Sequence, residues 1–319
     1  MSRLPPVSEL DDSSAGWSFY LCTRKELRTG RSGSPFLSLM LQDASGQIAA
    51  KVFDEVAKLG EEFDEGEFVK VQAHAERHRD RVELVVERIR RVNPDQDMRE
   101  GFSEDACVPS APRPIDEMWA ELEARVGAVV NPWVRALLSE VLMTHGARLR
   151  IWPAALTVHH AYRGGLLEHV LKLTEVGTLL AAAYGADSDL LIAAAILHDI
   201  GKLEELHYEA ATSYSPRGNL IGHITLGVML VRDAARRIDA FPEDLLTRIE
   251  HVIVSHHGSR EHGSPVEPMS VEAFIFSAMD DLDATLHQVR RHVTDDRGGG
   301  QFTSYYPRLG RVLLKPSGR

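Results

Sequence analysis

His198 and Asp199 stand side by side within AAAILHDIGKLEEL (193–206), directly after five residues that could line any core. An imidazole and a carboxylate occupy positions that a buried helix would ordinarily fill with apolar side chains. The same conflict recurs along the chain. His169, in GGLLEHVLKL, shares a helical face with Leu166, Leu173 and Val176, and His223, in NLIGHITLGVML, shares one with Leu226, Gly227 and Leu230. His256 follows Leu245, Ile249 and Val252 at helical spacing, while His257 follows Leu246 and Ile253. One histidine on an apolar face is ordinarily a core residue bonded to a carbonyl. Four helices that each turn a histidine inward are different, because unpaired buried polar groups cost roughly 1–3 kcal/mol apiece. A divalent metal is the natural shared partner, since it binds neutral imidazole and carboxylate together. FSAMDDLDATL adds Asp280, Asp281 and Asp283, among which periodicity does not choose, because their neighbours are apolar nearly all round. A mixed nitrogen and oxygen set suits manganese or iron better than magnesium, which favours oxygen alone.

These residues lie in a half of the chain with helical periodicity. Helices are predicted near 115–129, 132–147, 165–184, 188–203, 221–238, 243–257 and 270–292, with no internal repeat. Up to residue 92 the period is two instead. WSFYLCTRKEL (17–27), PFLSLMLQD (35–43) and IAAKVF (48–53) read as strands, DEVAKLGEEF (54–63) as a short helix, and 66–78 with 81–92 as a closing hairpin. Five strands with a helix between the third and fourth match an OB-fold barrel, a fold whose open face binds single-stranded nucleic acid. Trp17, Phe19, Tyr20, Phe36, Phe53 and Phe68 are the stacking candidates, although in so small a barrel most aromatics fill the interior. RHRDRVELVVERIRR (77–91) carries six arginines against three acids, which is either a solvated strand face or a track for phosphates. Residues 93–114 hold four prolines and few apolar residues, the composition of a linker. The expected organisation is therefore multidomain. An all-β OB-fold nucleic-acid-binding domain (1–92) and a linker (93–114) precede an all-α helical bundle (115–319) that carries the metal site.

Composition sets the outer bounds. The chain has 319 residues, 44% of them hydrophobic and 26% charged, as in soluble globular proteins with room for about two domains. No apolar run approaches a membrane span, the polar N-terminus does not read as a signal peptide, and two distant cysteines make no disulfide framework. A cytoplasmic setting fits, with no membrane partner. The net charge of −11 argues against indiscriminate nucleic-acid binding by the whole surface.

His169, the His198-Asp199 pair and an aspartate near 280 together resemble the H…HD…D signature of the HD-domain metal-dependent phosphohydrolases. HDIGK, GGLLEHV, GHI and SHHG in order make that resemblance specific. YLCTRKELRTGRSGSPFLSLMLQDASGQIAAKVFD, HHAYRGGLLEHV and DDLDA are similar to one subgroup, the YhaM-type 3′→5′ exoribonucleases, which join an N-terminal OB fold to an HD domain. The resemblance implies His169, His198, Asp199 and Asp280 as the core metal ligands. His223 and His256 are similar to the additional ligands of two-metal members, with His257 a close alternative to His256. Lys202 resembles the family lysine that approaches substrate phosphate. The subgroup usually continues LDAK where this chain has LDAT, so Thr285 removes any charge contributed there.

The expected reaction is hydrolysis of the phosphodiester bonds of single-stranded RNA, and of single-stranded DNA as a second option, by metal-activated water with one or two ions, manganese before iron or magnesium. Asp199 would bridge two ions, and Lys202 would offset charge on the phosphoryl oxygens. Substrate contacts are expected from Arg163 beside its glycines, from His159 and His160, and from Arg77, Arg79 and Arg81 on the basic strip. RNA over DNA comes from the resemblance alone. The competing reading is an HD-type nucleotidase or cyclic-nucleotide phosphodiesterase acting on a small nucleotide. Homo-oligomerisation and the role of the tail QFTSYYPRLGRVLLKPSGR are open.

Overall fold

The computed structural model describes residues 2–30, 33–78, 81–155, 162–208 and 212–316. Two compact units emerge, one of residues 1–110 with 208–213 and the other of 111–207 with 214–319.

In the first unit, strands β1 (Ala15–Thr29), β2 (Pro35–Asp43), β3 (Gly46–Val52), β4 (Phe68–His78) and β5 (Arg81–Arg91) close into a barrel in the order β1-β2-β3-β5-β4. The β3–β5 pairing that closes the barrel is parallel, with Ala50 opposite Leu84. Helix α1 (Val56–Glu61) makes the crossover between β3 and β4. The period-two pattern has its physical cause here. Leu37, Leu39 and Leu41 alternate inward on β2, as do Val69, Val71 and Ala73 on β4, and all join Tyr20, Leu84 and Ile89 in one core. The tight turn after β2 is held by Asp43, whose Oδ1 accepts hydrogen bonds from the Ser45 and Gly46 amides.

Two expectations change. The stretch expected as a linker is, over 93–110, folded onto the barrel: short helices α2 (Pro94–Asp97) and α3 (Glu104–Cys107) form, and Phe102 packs edge-on against Phe19 and Phe68. Prolines and acids masked this, because the contact depends on a few residues without periodicity. The second change concerns the basic strip. Arg90 donates two 2.7 Å bonds to the fully buried Asp97 carboxylate, Arg91 pairs with Glu67, and Arg77 pairs with Asp12 at 3.1 Å. Arg81 and Arg88 are exposed, and among the described residues neither has an acidic partner. A groove of about 910 Å³ on the barrel sets Lys58, Lys70, Arg88 and Arg90 among Asp54, Glu55, Glu62, Glu87 and Glu100, so it is no purely cationic track. Of the stacking candidates, Phe19 and Tyr20 are core residues, while Phe53 is exposed with Phe36 beside it at 5.7 Å between ring centroids.

The second unit is helical. Helices α4 (Ile115–Gly127), α5 (Pro132–Leu149), α6 (Gly165–Tyr184), α7 (Ser188–Leu197) and the single turn α8 (Lys202–Glu205) lead to a small hairpin, β6 (Leu206–Tyr208) and β7 (Thr212–Tyr214). Then follow α9 (Pro216–Ile221), α10 (His223–Ala235), α11 (Glu243–Ser255) and the long α12 (Val271–Asp295). The helix expected over 188–203 is broken and ends at Leu197. The one expected over 221–238 begins at His223, and the short α9 forms in what was expected to be a loop, with Gly222 at φ +76° between the two. Leu173, Leu191, Ala194, Val252, Phe276 and Met279 form a core from α6, α7, α11 and α12. Among the described residues, no helix is long and apolar enough to cross a membrane.

The Asp97 clamp yields a pH-dependent expectation. Arg90, against the opposing pull of burial, and the Asn93 amide hold the Asp97 carboxyl down at about 2, from 3.8. A depressed carboxyl stabilises the fold fully above its unfolded value and stops doing so as pH falls through the folded one. Asp97→Ala should therefore cost roughly 1.5–3 kcal/mol at pH 7. Hydrogen exchange of the β4–β5 amides measures it, and the difference between variant and wild type should vanish between about pH 4 and pH 2. Equal exchange at pH 7 would show that the clamp contributes nothing.

Candidate metal centre

Each histidine of the centre has one nitrogen committed to a backbone carbonyl or a carboxylate. His169, fully buried one turn into α6, sets Nδ1 2.8 Å from Asp283 Oδ2 and Nε2 3.1 Å from Asp280 Oδ1. His198 caps the C-terminus of α7, with Nδ1 3.1 Å from the Ala195 carbonyl oxygen. His256 follows α11 in the same manner, its Nδ1 2.7 Å from the Ile253 carbonyl oxygen. His257 uses Nδ1 on the His262 carbonyl oxygen at 3.0 Å. His223, first residue of α10, places both its amide and its Nδ1 3.0 Å from Glu205 Oε1. Fixing Nδ1 sets each ring's orientation and turns Nε2 toward the centre, the usual arrangement of a metal-binding imidazole.

Asp199 lies at the middle. Its Oδ2 is 3.2 Å from His198 Nε2 and 2.5 Å from Lys202 Nζ, while its Oδ1 is 3.5 Å from His223 Nε2 and 3.9 Å from His256 Nε2. Around it stand two groups whose ligand atoms lie within 4.8 Å of one another: His169, His198 and Asp280, and His223, His256 and His257. Among the described residues, His198 Nε2, His223 Nε2 and Asp199 Oδ1 are buried without a hydrogen-bond partner. Such orphaned atoms facing one another are what a divalent cation would satisfy, and the donor set fits one.

The electrostatics follow from the packing. Burial pulls the His169 imidazole down, yet Asp280 and Asp283 on its two nitrogens carry it up to about 9. For His256, burial and the neighbouring His198 lower it to about 3, and for His257 burial and His223 act in the same direction. Burial opposes ionisation of Asp199, but Lys202 and His198 hold it well below the carboxylate range. Asp280 is likewise lowered, by His169 and His198 against burial.

All seven residues expected as ligands thus converge: His169, His198, Asp199, His223, His256, His257 and Asp280. His256 and His257 both belong to the second group, so proximity does not set one against the other. Lys202 is present, but bonded to Asp199. Arg163 lies half-buried, and its backbone carbonyl accepts from the Ala111 amide. Arg77 and Arg81 belong to the other unit, and His159, His160 and Arg79 fall outside the described residues. Sequence reasoning missed Glu205 altogether and did not single out Asp283, although they orient the His223 and His169 rings. HDIGKLEEL did offer a signal for Glu205, since carboxylates that follow a His-Asp pair within two turns are well placed to reach a neighbouring imidazole.

Gly201 explains how the His198-Asp199 turn reaches α10. A Cβ there would lie 1.9 Å from the His223 carbonyl oxygen and 2.5 Å from the Gly227 amide nitrogen, both backbone atoms that cannot swing aside. Gly201→Ala should cost at least ~1–3 kcal/mol as an overpacked contact. A thermal melt should show a lowered midpoint for the helical unit, and an unchanged midpoint would mean that α10 does not rest on this glycine.

Residues 166–285 match the HD domain family, and residues 21–92 match an OB-fold nucleic acid binding domain family. The chain is 35% identical over 289 residues to the 3′-5′ exoribonuclease YhaM of Bacillus subtilis, covering 90% of each chain. It is 33% identical to the protein of that name from Bacillus velezensis, again with 90% of each covered. To that of Bacillus licheniformis it is 34% identical, over 89% of this chain and 90% of the relative. With this identity along nearly its whole length, the chain belongs to the YhaM family of 3′-5′ exoribonucleases.

Proposed function

We propose that this protein shortens single-stranded RNA from its 3′ end by metal-dependent hydrolysis of phosphodiester bonds. The observation that carries the reading is the convergence of two ligand groups on Asp199, with its two oxygens turned to opposite sides. His169, His198 and Asp280 would hold one divalent ion, and His223, His256 and His257 a second, with Asp199 shared between them. Manganese or iron suits these nitrogen-rich sets better than magnesium. A bound divalent ion supplies Lewis acidity toward a phosphoryl oxygen and makes water nucleophilic near neutral pH.

The remaining work falls to the chain. Asp283 and Glu205 keep the rings of His169 and His223 in the orientation that presents Nε2. Lys202, 12% exposed at its side chain, brings a cation to the edge of the centre, where it offsets charge gathered on phosphoryl oxygens. The apolar wall of Phe276, whose ring centroid is 5.0 Å from that of His198, limits water and strengthens these electrostatic interactions. The barrel of the first unit holds the strand to be cut, through exposed Arg81, Arg88 and Phe53 rather than through Arg90 and Arg91, which are bound to acids.

The test incubates 5′-labelled single-stranded RNA and DNA with the protein in manganese, magnesium or EDTA, beside His198→Ala. Stepwise shortening of labelled RNA that requires both metal and His198 is expected, with activity reduced about 100–1000-fold in the variant, on the order of losing a reaction's central electrostatic group. Early release of the labelled nucleotide would reverse the polarity. Turnover of mononucleotides or cyclic nucleotides without any shortening of oligonucleotides would replace the reading with a small-nucleotide phosphodiesterase.

Glu205→Ala probes the orienting carboxylate separately. Its loss should weaken manganese binding about 10–100-fold in calorimetric titration while the fold is retained. Binding as tight as wild type would show that His223 needs no support from Glu205, or that it holds no metal.

A further inference from the structure

The C-terminal residues 296–316 fold into a clasp on the end of α12, and nothing in the catalytic centre uses it. Asp296 holds it from within: its Oδ2 accepts from the Ser304 amide at 2.7 Å and its Oδ1 pairs with Lys315 Nζ at 2.5 Å. Isolated bridges join Phe302 to Leu314 and Tyr306 to Arg311. Tyr306 lies stacked on His292 of α12, centroids 4.4 Å apart, and Thr303 is buried.

Thr303 is buried and Tyr306 packs on His292, while the residue just before each of them faces solvent. Phe302 is 55% exposed and Tyr305 61% exposed. Both rings leave more than half of their surface to solvent, three residues apart in one segment. The charge is equally one-sided. The segment 296–316 carries four cations and a single acid, Asp296, in a chain whose net charge is −11. Arg308 and Arg311 are exposed and, among the described residues, have no acidic partner; Arg290, on the adjoining turn of α12, is in the same position.

Arg311 Nε donates to the Leu309 carbonyl oxygen at 2.9 Å, which leaves its charge unneutralised. Exposed rings interleaved with guanidinium groups that lack an acidic partner match the two needs of a single strand, a face for base stacking and cations for its phosphates. A symmetric contact with a second copy would instead set these cations against themselves. We propose that the C-terminal clasp is a binding surface for single-stranded RNA, on which Phe302 and Tyr305 stack bases while Arg308 and Arg311 face the backbone. The identity of the strand rests on the exoribonuclease reading. The clasp and the centre share α12, with His292 twelve residues beyond Asp280, about 18 Å along the helix axis. A strand bound on the clasp is therefore within a few nucleotides of the ligand aspartate.

The test compares full-length wild type with Phe302→Ala/Tyr305→Ala and with Arg308→Gln/Arg311→Gln. Binding of a fluorescent single-stranded 15-mer RNA is followed by anisotropy in EDTA, so that the strand stays intact, across a range of salt. The aromatic variant should bind at least about fivefold more weakly, the smallest loss expected when a stacked base loses its ring. For the arginine variant, the slope of log affinity against log salt should fall by about 1.4, for two phosphate contacts. Both should hydrolyse bis-p-nitrophenyl phosphate in manganese like the wild type. Unchanged RNA affinity and salt slope overturn the proposal. A smaller assembly in sedimentation with RNA affinity unchanged overturns it too, by assigning the patch to a second copy. If wild type binds RNA through the clasp yet never shortens it, the exoribonuclease reading fails and the surface stands.

Discussion

Asp199 has to be an ionised carboxylate in a place that water does not reach. With 3% of its surface exposed, it is surrounded by three imidazoles and one ammonium group, and every other feature of the helical unit answers to that arrangement. A buried charge is tolerated only when its partners are close and well directed. The directing comes from the Nδ1 side of each ring. Main-chain carbonyls at the ends of α7 and α11 fix His198 and His256, and carboxylates fix His169 and His223. The centre is built largely from helix ends, where carbonyls lacking an intrahelical partner are available to accept these bonds.

The division of charge between the two ligand groups has a chemical consequence. One has its own carboxylate in Asp280, flanked by Asp283, whereas the other has three imidazoles and only a share of Asp199. The two groups around Asp199 are thus unlike in charge. Lys202 adds to the difference by holding the Asp199 oxygen on the His198 side.

The barrel is governed by a different economy. It closes without a long exposed edge, and its outer face carries many charges that are mostly matched to one another. Asp97 takes Arg90, Glu67 takes Arg91, and Glu100 pairs with Lys70. A run of arginines counted along a strand therefore overstates the free positive potential of the folded surface. The cations left over are fewer, and those of the C-terminal clasp stand among exposed rings.

From the chain alone came both fold classes, because period two and period 3.6 are local properties of a strand and a helix facing one core. The converging residues His169, His198, Asp199 and Asp280 were legible for a related reason: an imidazole or carboxylate on an apolar stripe violates the pattern and so draws attention to itself. Glu205 violated nothing, since it sits in a polar turn, and Asp97 lay in a stretch with the composition of a linker. Their roles depend on partners 18 residues away in the first case and on Arg90 beneath a folded-back segment in the second. Choosing Asp280 over Asp281 by periodicity alone was equally out of reach, as was reconciling His256 with His257. Tertiary structure decided those points, because only the crossing of α6, α10, α11 and α12 determines which atoms share a space a few ångströms wide.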